Sequence, residues 1–229
     1  AGDLLPQIKA VRRFDYRQAV DGCKWLLWGM FMKVVLADNI GQQVDIIYST
    51  YQTKGGIDCM VAMFLYSIQL YGDFAGYSFM ALGVGKLLGF EIINNFRQPY
   101  LSSSITEFWG RWHISLSLWL KDYVYISLGG NRCSKLRNYF NILVTFLVSG
   151  LWHGANYTFV FWGGLHGIMQ ILEKSLGISR VESRGFLRVV RIIATFVIAS
   201  VLWVFFRSPS IETAFAFFEK MATDYSYTI

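Results

Sequence analysis

Apolar residues gather in five stretches along the chain, at 25–37, 59–90, 139–152, 157–172 and 189–206, with polar and basic segments between them. A helix needs about 20 predominantly apolar residues to cross a bilayer core of roughly 30 Å. The last stretch nearly meets that length, and the first and third fall short unless their flanks are counted. The second is long enough for one extended span or for two short ones around Gly72-Asp73. Lys33, Asp73 and Lys86 interrupt these stretches. Ions facing lipid are costly, so these side chains are expected against other helices or a cavity. Asp73 is expected to pair with a base such as Arg97 or Arg111, which would leave no charge unpaired. No repeat of fixed period is visible and prolines are scarce. The pattern predicts an all-α fold, a polytopic transmembrane helix bundle forming a single membrane domain over 1–229.

One segment has a different rhythm. Over 104–123 the apolar residues Ile105, Phe108, Trp109, Trp112, Leu116, Trp119, Leu120 and Tyr123 trace one face of an α-helix. Ser104 followed by Glu107 reads as a capping box at its start. Glu107, Arg111, Ser117 and Lys121 occupy the other face, which is too polar for a span in lipid. Such a helix lies at the membrane surface or lines a wet funnel. His113 falls at the edge of the apolar stripe, and Gly129-Gly130-Asn131-Arg132 supplies turn chemistry beyond it.

Composition agrees with a membrane environment: 54% of residues are hydrophobic and only 16% charged, against about a quarter charged in soluble domains. The formal charge of +6 does not point to nucleic acid, because the bases lie between apolar stretches. They form clusters at Lys9, Arg12, Arg13, Arg17 and Lys24, at Arg132, Lys135 and Arg137, and at Lys174, Arg180, Arg184, Arg188 and Arg191. Basic residues beside spans mark cytoplasmic loops. The start at Ala1 carries no secretory leader pattern, and both ends read as cuts within a longer protein. Cys23, Cys59 and Cys133 are scattered, with neither a disulfide framework nor a zinc pattern.

Candidate chemistry rests on the three histidines. His153 ends an apolar stretch between small residues, in Ser149-Gly150-Leu151-Trp152-His153-Gly154, where a substrate could approach the ring. A desolvated imidazole stays neutral at pH 7, as a general base must; a core histidine that stabilises helix packing would look the same. His113 could pair with His153 across a funnel or sit at the interface. His166, within Gly163-Gly164-Leu165-His166-Gly167, reads as a packing histidine at a tight helix contact. Carboxylates at HExxH spacing are absent, so no metal is expected. A proton relay through His113, His153 and Asp73 in a transporter or flippase is the rival reading, although no inverted repeat supports it.

Five runs in register resemble the membrane-bound O-acyltransferase family. They are Tyr71-Gly72-Asp73-Phe74-Ala75-Gly76-Tyr77, Asn95-Phe96-Arg97-Gln98-Pro99-Tyr100, the stretch from Glu107 through Trp109-Gly110-Arg111-Trp112-His113 to Ser117, that from Asp122 to Gly129-Gly130-Asn131-Arg132, and that from Ser149 through Trp152-His153-Gly154 to Asn156. The similarity is greatest to the bacterial branch that O-acetylates alginate and cell-wall polysaccharides. Gly110 departs from a position where a second base is common, and Ser127 from one where proline is frequent. The resemblance implies that His153 is catalytic with His113 nearby, and that helices surround a tunnel crossing the membrane. Trp109, Trp112, Trp119, Trp152, Asn156 and Asp73 are the expected lining. It also implies a cytoplasmic acyl thioester donor such as acetyl-CoA, with no bound cofactor, and a polysaccharide or partner-protein hydroxyl as acceptor. The expected setting is multi-pass in the bacterial inner membrane, in contact with lipid and a periplasmic or extracellular acyl-transfer partner. The family is about twice as long, so further spans are expected outside this chain.

Overall fold

A computed structural model describes residues 4–11, 13–178 and 183–228. Two members of the basic clusters, Arg12 and Arg180, lie outside the described residues. The described residues contain helices and irregular segments and no strand. The helices are α1 (Leu4–Lys9), α2 (Tyr16–Met30), α3 (Asp38–Ser49), α4 (Gly56–Leu87), α5 (Ile105–Arg111), α6 (Ile114–Leu120), α7 (Lys135–His153), α8 (Tyr157–Ser175), α9 (Gly185–Arg207) and α10 (Ile211–Thr223). The five apolar stretches fall on helix except for 88–90, and Gly72-Asp73 does not break the second, which lies in one helix of 32 residues, Gly56–Leu87. Among the described residues α9 alone is long and apolar enough to cross a membrane by length and composition. Its 23 residues correspond to about 34 Å at 1.5 Å per residue.

Contacts divide the chain into two compact units, one comprising Ala1–Ile40 with Ile68–Asn95 and the other Gly41–Ser67 with Phe96–Ile229. In the first, α2 and the later part of α4 run antiparallel through two glycine pairs. A Cβ on Gly22 would lie 2.8 Å from the Gly83 carbonyl oxygen, and one on Gly29 would lie 2.5 Å from that of Gly76. Only hydrogen fits there, so the backbones meet directly, as small residues allow in membrane helices. Beyond α2 the chain passes through a π-helical stretch, Phe31–Ala37. Lys33 in that stretch bridges two carboxylates, Asp38 at 2.7 Å and Asp73 at 2.7 Å. Asp73 therefore pairs with Lys33 rather than with Arg97 or Arg111.

In the second unit α7 and α8 form the central pair, again through glycines. A Cβ on Gly150 would fall 2.2 Å from the Phe159 carbonyl oxygen, and one on Gly163 would fall 2.2 Å from that of Phe146. Trp162 and Trp203 stack at 5.3 Å between α8 and α9 and are almost fully buried. Tyr100 donates to the Ser67 carbonyl at 2.7 Å, and Ser67 to the Ser200 hydroxyl at 2.8 Å. Asp58, wholly buried, accepts from the Gly55 and Thr228 amides and ties residues near the C-terminus to the start of α4.

The expected single helix over 104–123 is interrupted. α5 and α6 have seven residues each, and between them His113 adopts a left-handed conformation with φ 45° and ψ 54°. A π-helical turn, Lys121–Tyr125, follows α6. The two departures explain where the apolar stripe fails. Ile105, Phe108, Trp109, Trp112, Leu116 and Leu120 are buried as the periodicity requires, but Trp119 and Tyr123 are exposed. Past the left-handed residue, α6 keeps Leu116 and Leu120 buried and leaves Trp119 exposed. The π turn holds a surplus residue, and within it Val124 and Tyr125 are half-buried where Tyr123 is exposed.

Candidate active site

The position of His113 begins with the anchoring of α5. Two of its first-turn amides, Ile105 and Thr106, donate to the Glu173 carboxylate of α8 at 2.6 and 2.8 Å. The Ser104 hydroxyl accepts from the Glu107 amide at 3.0 Å, forming the expected N-cap. The return half of the capping box goes one residue further back: Glu107 accepts from the Ser103 amide at 2.7 Å and from its hydroxyl at 2.9 Å, and also holds Arg111. Burial alone would raise the Glu107 carboxyl; the Ser103 donors and then Arg111 outweigh it and keep it below the usual carboxylate range. Helix α5 is thus fixed to α8 at one end, and the Arg111 carbonyl accepts from the Arg97 amide at 3.0 Å near the other. The break at His113 follows at once.

Helix α7 ends at His153, three residues after the Gly150 contact with α8. Aromatic rings enclose this imidazole: Trp152 at 5.0 Å, Phe206 at 5.1 Å, Trp162 at 5.4 Å and Phe159 at 6.3 Å between centroids. Among the described residues neither of its nitrogens has a hydrogen-bond partner, and the ring is only partly buried. Trp152 also meets His113, edge to face at 5.9 Å. The two histidines therefore flank one indole although forty positions separate them in sequence.

His166 is different. It is fully buried, and its Nδ1 accepts the Trp109 indole N–H at 3.1 Å. Trp162, at 5.0 Å, and other rings pack around it. This imidazole is a packing group, as its glycine-rich surroundings suggest.

The remaining sequence candidates separate. Trp109 helps line a cavity of about 150 Å³ with Leu116, Leu120, Tyr125, Phe146 and Ser149, the last lying one turn before His153 on α7. Trp112 is a core residue, against Phe96 at 5.0 Å and Trp203 at 5.1 Å. Trp119 faces outward beside Tyr123 at 5.2 Å, not inward with Trp109 and Trp112. Asn156 caps α8 through the Thr158 amide at 3.0 Å and donates to the Pro209 carbonyl at 3.0 Å, so its amide is committed to holding the turn after His153. Asp73 belongs to the first unit, paired with Lys33. The aromatic walls Phe159, Trp162 and Phe206 and the anchor Glu173 were not singled out from sequence, since none departs from its local apolar or helical pattern.

The chain belongs to the membrane-bound O-acyltransferase family, whose model matches residues 11–213. It is similar to the probable alginate O-acetylase of Pseudomonas aeruginosa, 41% identical over 226 residues, covering 96% of this chain and 43% of that protein. It is also similar to the peptidoglycan O-acetyltransferase of Helicobacter pylori, 38% identical with 93% and 41% covered. The teichoic acid D-alanyltransferase of Streptococcus thermophilus is 35% identical over 161 residues, with 66% and 39% covered. The chain spans less than half the length of these curated relatives.

Proposed function

We propose that this chain is the catalytic portion of a multi-pass enzyme of the bacterial cytoplasmic membrane. It moves an acyl group, acetyl in the first instance, from a cytoplasmic thioester to a hydroxyl of an extracytoplasmic polysaccharide or a partner protein. The observation that carries this reading is the His153 imidazole, free of hydrogen bonds among the described residues and walled by aromatic rings beside His113. A neutral ring nitrogen takes the acceptor's hydroxyl proton as the oxygen attacks the thioester carbonyl carbon. The C–S bond breaks, and the leaving sulfur recovers the proton from the imidazolium, giving ester, thiol and neutral His153. His113 assists by hydrogen bonding to the acceptor or by relaying the proton. Aromatic walls exclude water, which would otherwise hydrolyse the donor. The cavity beside Trp109 and Ser149 forms part of the substrate path between the two faces of the bilayer.

The names of the relatives support the class of acceptor: alginate, peptidoglycan and teichoic acid are hydroxyl-rich or cell-wall polymers. The full-length protein in lipid vesicles, given a labelled acetyl thioester and a polysaccharide, should place label on the polymer as an alkali-labile ester. Passage of unlabelled polymer across the vesicle with no ester formed would instead favour the transporter reading.

A further inference from the structure

One lysine from each of two basic clusters far apart in sequence reaches a common cavity in the second unit. Lys135, at the start of α7, and Lys174, in the last turn of α8, line the same cavity of about 530 Å³ with Asn131, Asn138, Ser175 and Gly177. We propose that this cavity is a binding site for a phosphate group, separate from the histidine site.

The charge balance points to an anion. Lys174 donates to the Asn138 side-chain oxygen, a neutral partner. Arg132 and Arg137 flank the cavity on the adjoining loop and helix, and the Arg137 guanidinium rests over Phe140 and, among the described residues, donates only to the Leu128 carbonyl. Among the described residues none of Arg132, Lys135, Arg137 and Lys174 is ion-paired with a carboxylate. The neighbouring Glu173 is turned away, occupied by the α5 amides. The C-terminal end of α8 carries a partial negative charge that one cation can offset. The others remain in excess.

The cavity is also built rather than incidental. Asn138 donates to the Tyr125 hydroxyl at 2.6 Å and to the Gly130 carbonyl at 2.9 Å, and Asn141 donates to the same carbonyl at 3.0 Å. These bonds hold the 129–133 loop against α7 and fix the wall on which the lysines stand. A volume of this size accommodates a phosphate together with part of the molecule that bears it. Phosphates are carried both by soluble nucleotide-type thioester donors and by lipid headgroups, and the chemistry recognised is the same.

Cys133 lines the cavity and reports on occupancy. In the full-length protein the rate of alkylation is read at Cys133 by peptide mass spectrometry, with inorganic phosphate, with coenzyme A, and in bilayers of phosphatidylglycerol against the phosphate-free digalactosyldiacylglycerol. Protection by a factor of about ten is expected when a soluble probe is roughly ten times above its Kd. It should be lost in Lys135→Gln/Lys174→Gln, whose substituted positions are exposed. Because removing lysines alters the thiol's own reactivity, the ratio with and without probe is compared. Protection by coenzyme A at lower concentration than phosphate assigns a soluble donor; protection by phosphatidylglycerol alone assigns a headgroup. No protection by any probe, or protection unchanged in the double variant, overturns the site. Acyl transfer measured in the same samples separates this outcome from failure of the enzymatic reading.

Discussion

Trp109 donates its indole N–H to Nδ1 of His166 across 3.1 Å, in a site closed to solvent. A nitrogen that accepts this bond cannot carry a proton, so His166 is neutral with its proton on Nε2. Its Nδ1 is thereby occupied as an acceptor, while among the described residues both His153 nitrogens are without a partner. Trp109→Phe should leave a buried acceptor unpaired, at a cost of about 1–3 kcal/mol. The expected outcome is a lower unfolding midpoint in detergent with turnover per folded molecule little changed; a selective loss of turnover would restore His166 to the chemistry.

His153→Ala should reduce acyl transfer by a factor of about 10²–10⁴, the usual worth of a general base. Expression and membrane insertion should be retained, because no charge or hydrogen bond is left unpaired. Mass spectrometry of the acceptor polymer reads the result directly, and wild-type O-acylation would remove this residue from the mechanism.

The proposed mechanism asks two separable things of His113, one of its ring and one of its left-handed backbone. A left-handed conformation costs a side-chain-bearing residue about 1–2 kcal/mol and glycine almost nothing. His113→Gly should therefore be more stable than His113→Ala, by thermal unfolding. Both should lower activity to a similar degree, and by less than His153→Ala, since water can partly replace an assisting group. Full activity in the glycine variant alone would mean that only the turn matters.

Gly150→Ala tests how strictly α8 places His153. The new methyl would lie 2.2 Å from the Phe159 carbonyl oxygen, a backbone atom with little room to move. Overpacking of this kind typically costs about 1–3 kcal/mol. Both the unfolding midpoint and turnover should fall, whereas Gly110→Ala, within α5 and with no atom within 4 Å of its added Cβ, should lower neither.

Helix content was legible in the sequence because apolar stretches need only composition to be seen. The N-cap at Ser104 was legible too, since its signal is local. Partners were harder. Lys33 is forty residues from Asp73, and periodicity gives no reason to choose it over Arg97 or Arg111; the π stretch in which it lies has no clear sequence signature. Trp119 failed for a related reason. Periodicity assumes one uninterrupted helix, and nothing in Trp112-His113-Ile114 announces a left-handed residue. The aromatic walls of His153 come from three separate places in the chain, and each looks like ordinary apolar filling until the fold assembles them.

The π turn at Lys121–Tyr125, closed by the Ile126 amide on the Lys121 carbonyl at 2.9 Å, makes this part of the chain tolerant in an unusual direction. A widened turn holds one surplus residue, so removing one there would restore a regular helix rather than tear it. Downstream residues would then keep their angular phase only if the chain shortened by that single position. Length variation among homologous chains should accordingly concentrate as single-codon deletions at this turn, with Tyr125 drawn one step closer to Leu120 and its grip on Asn138 preserved.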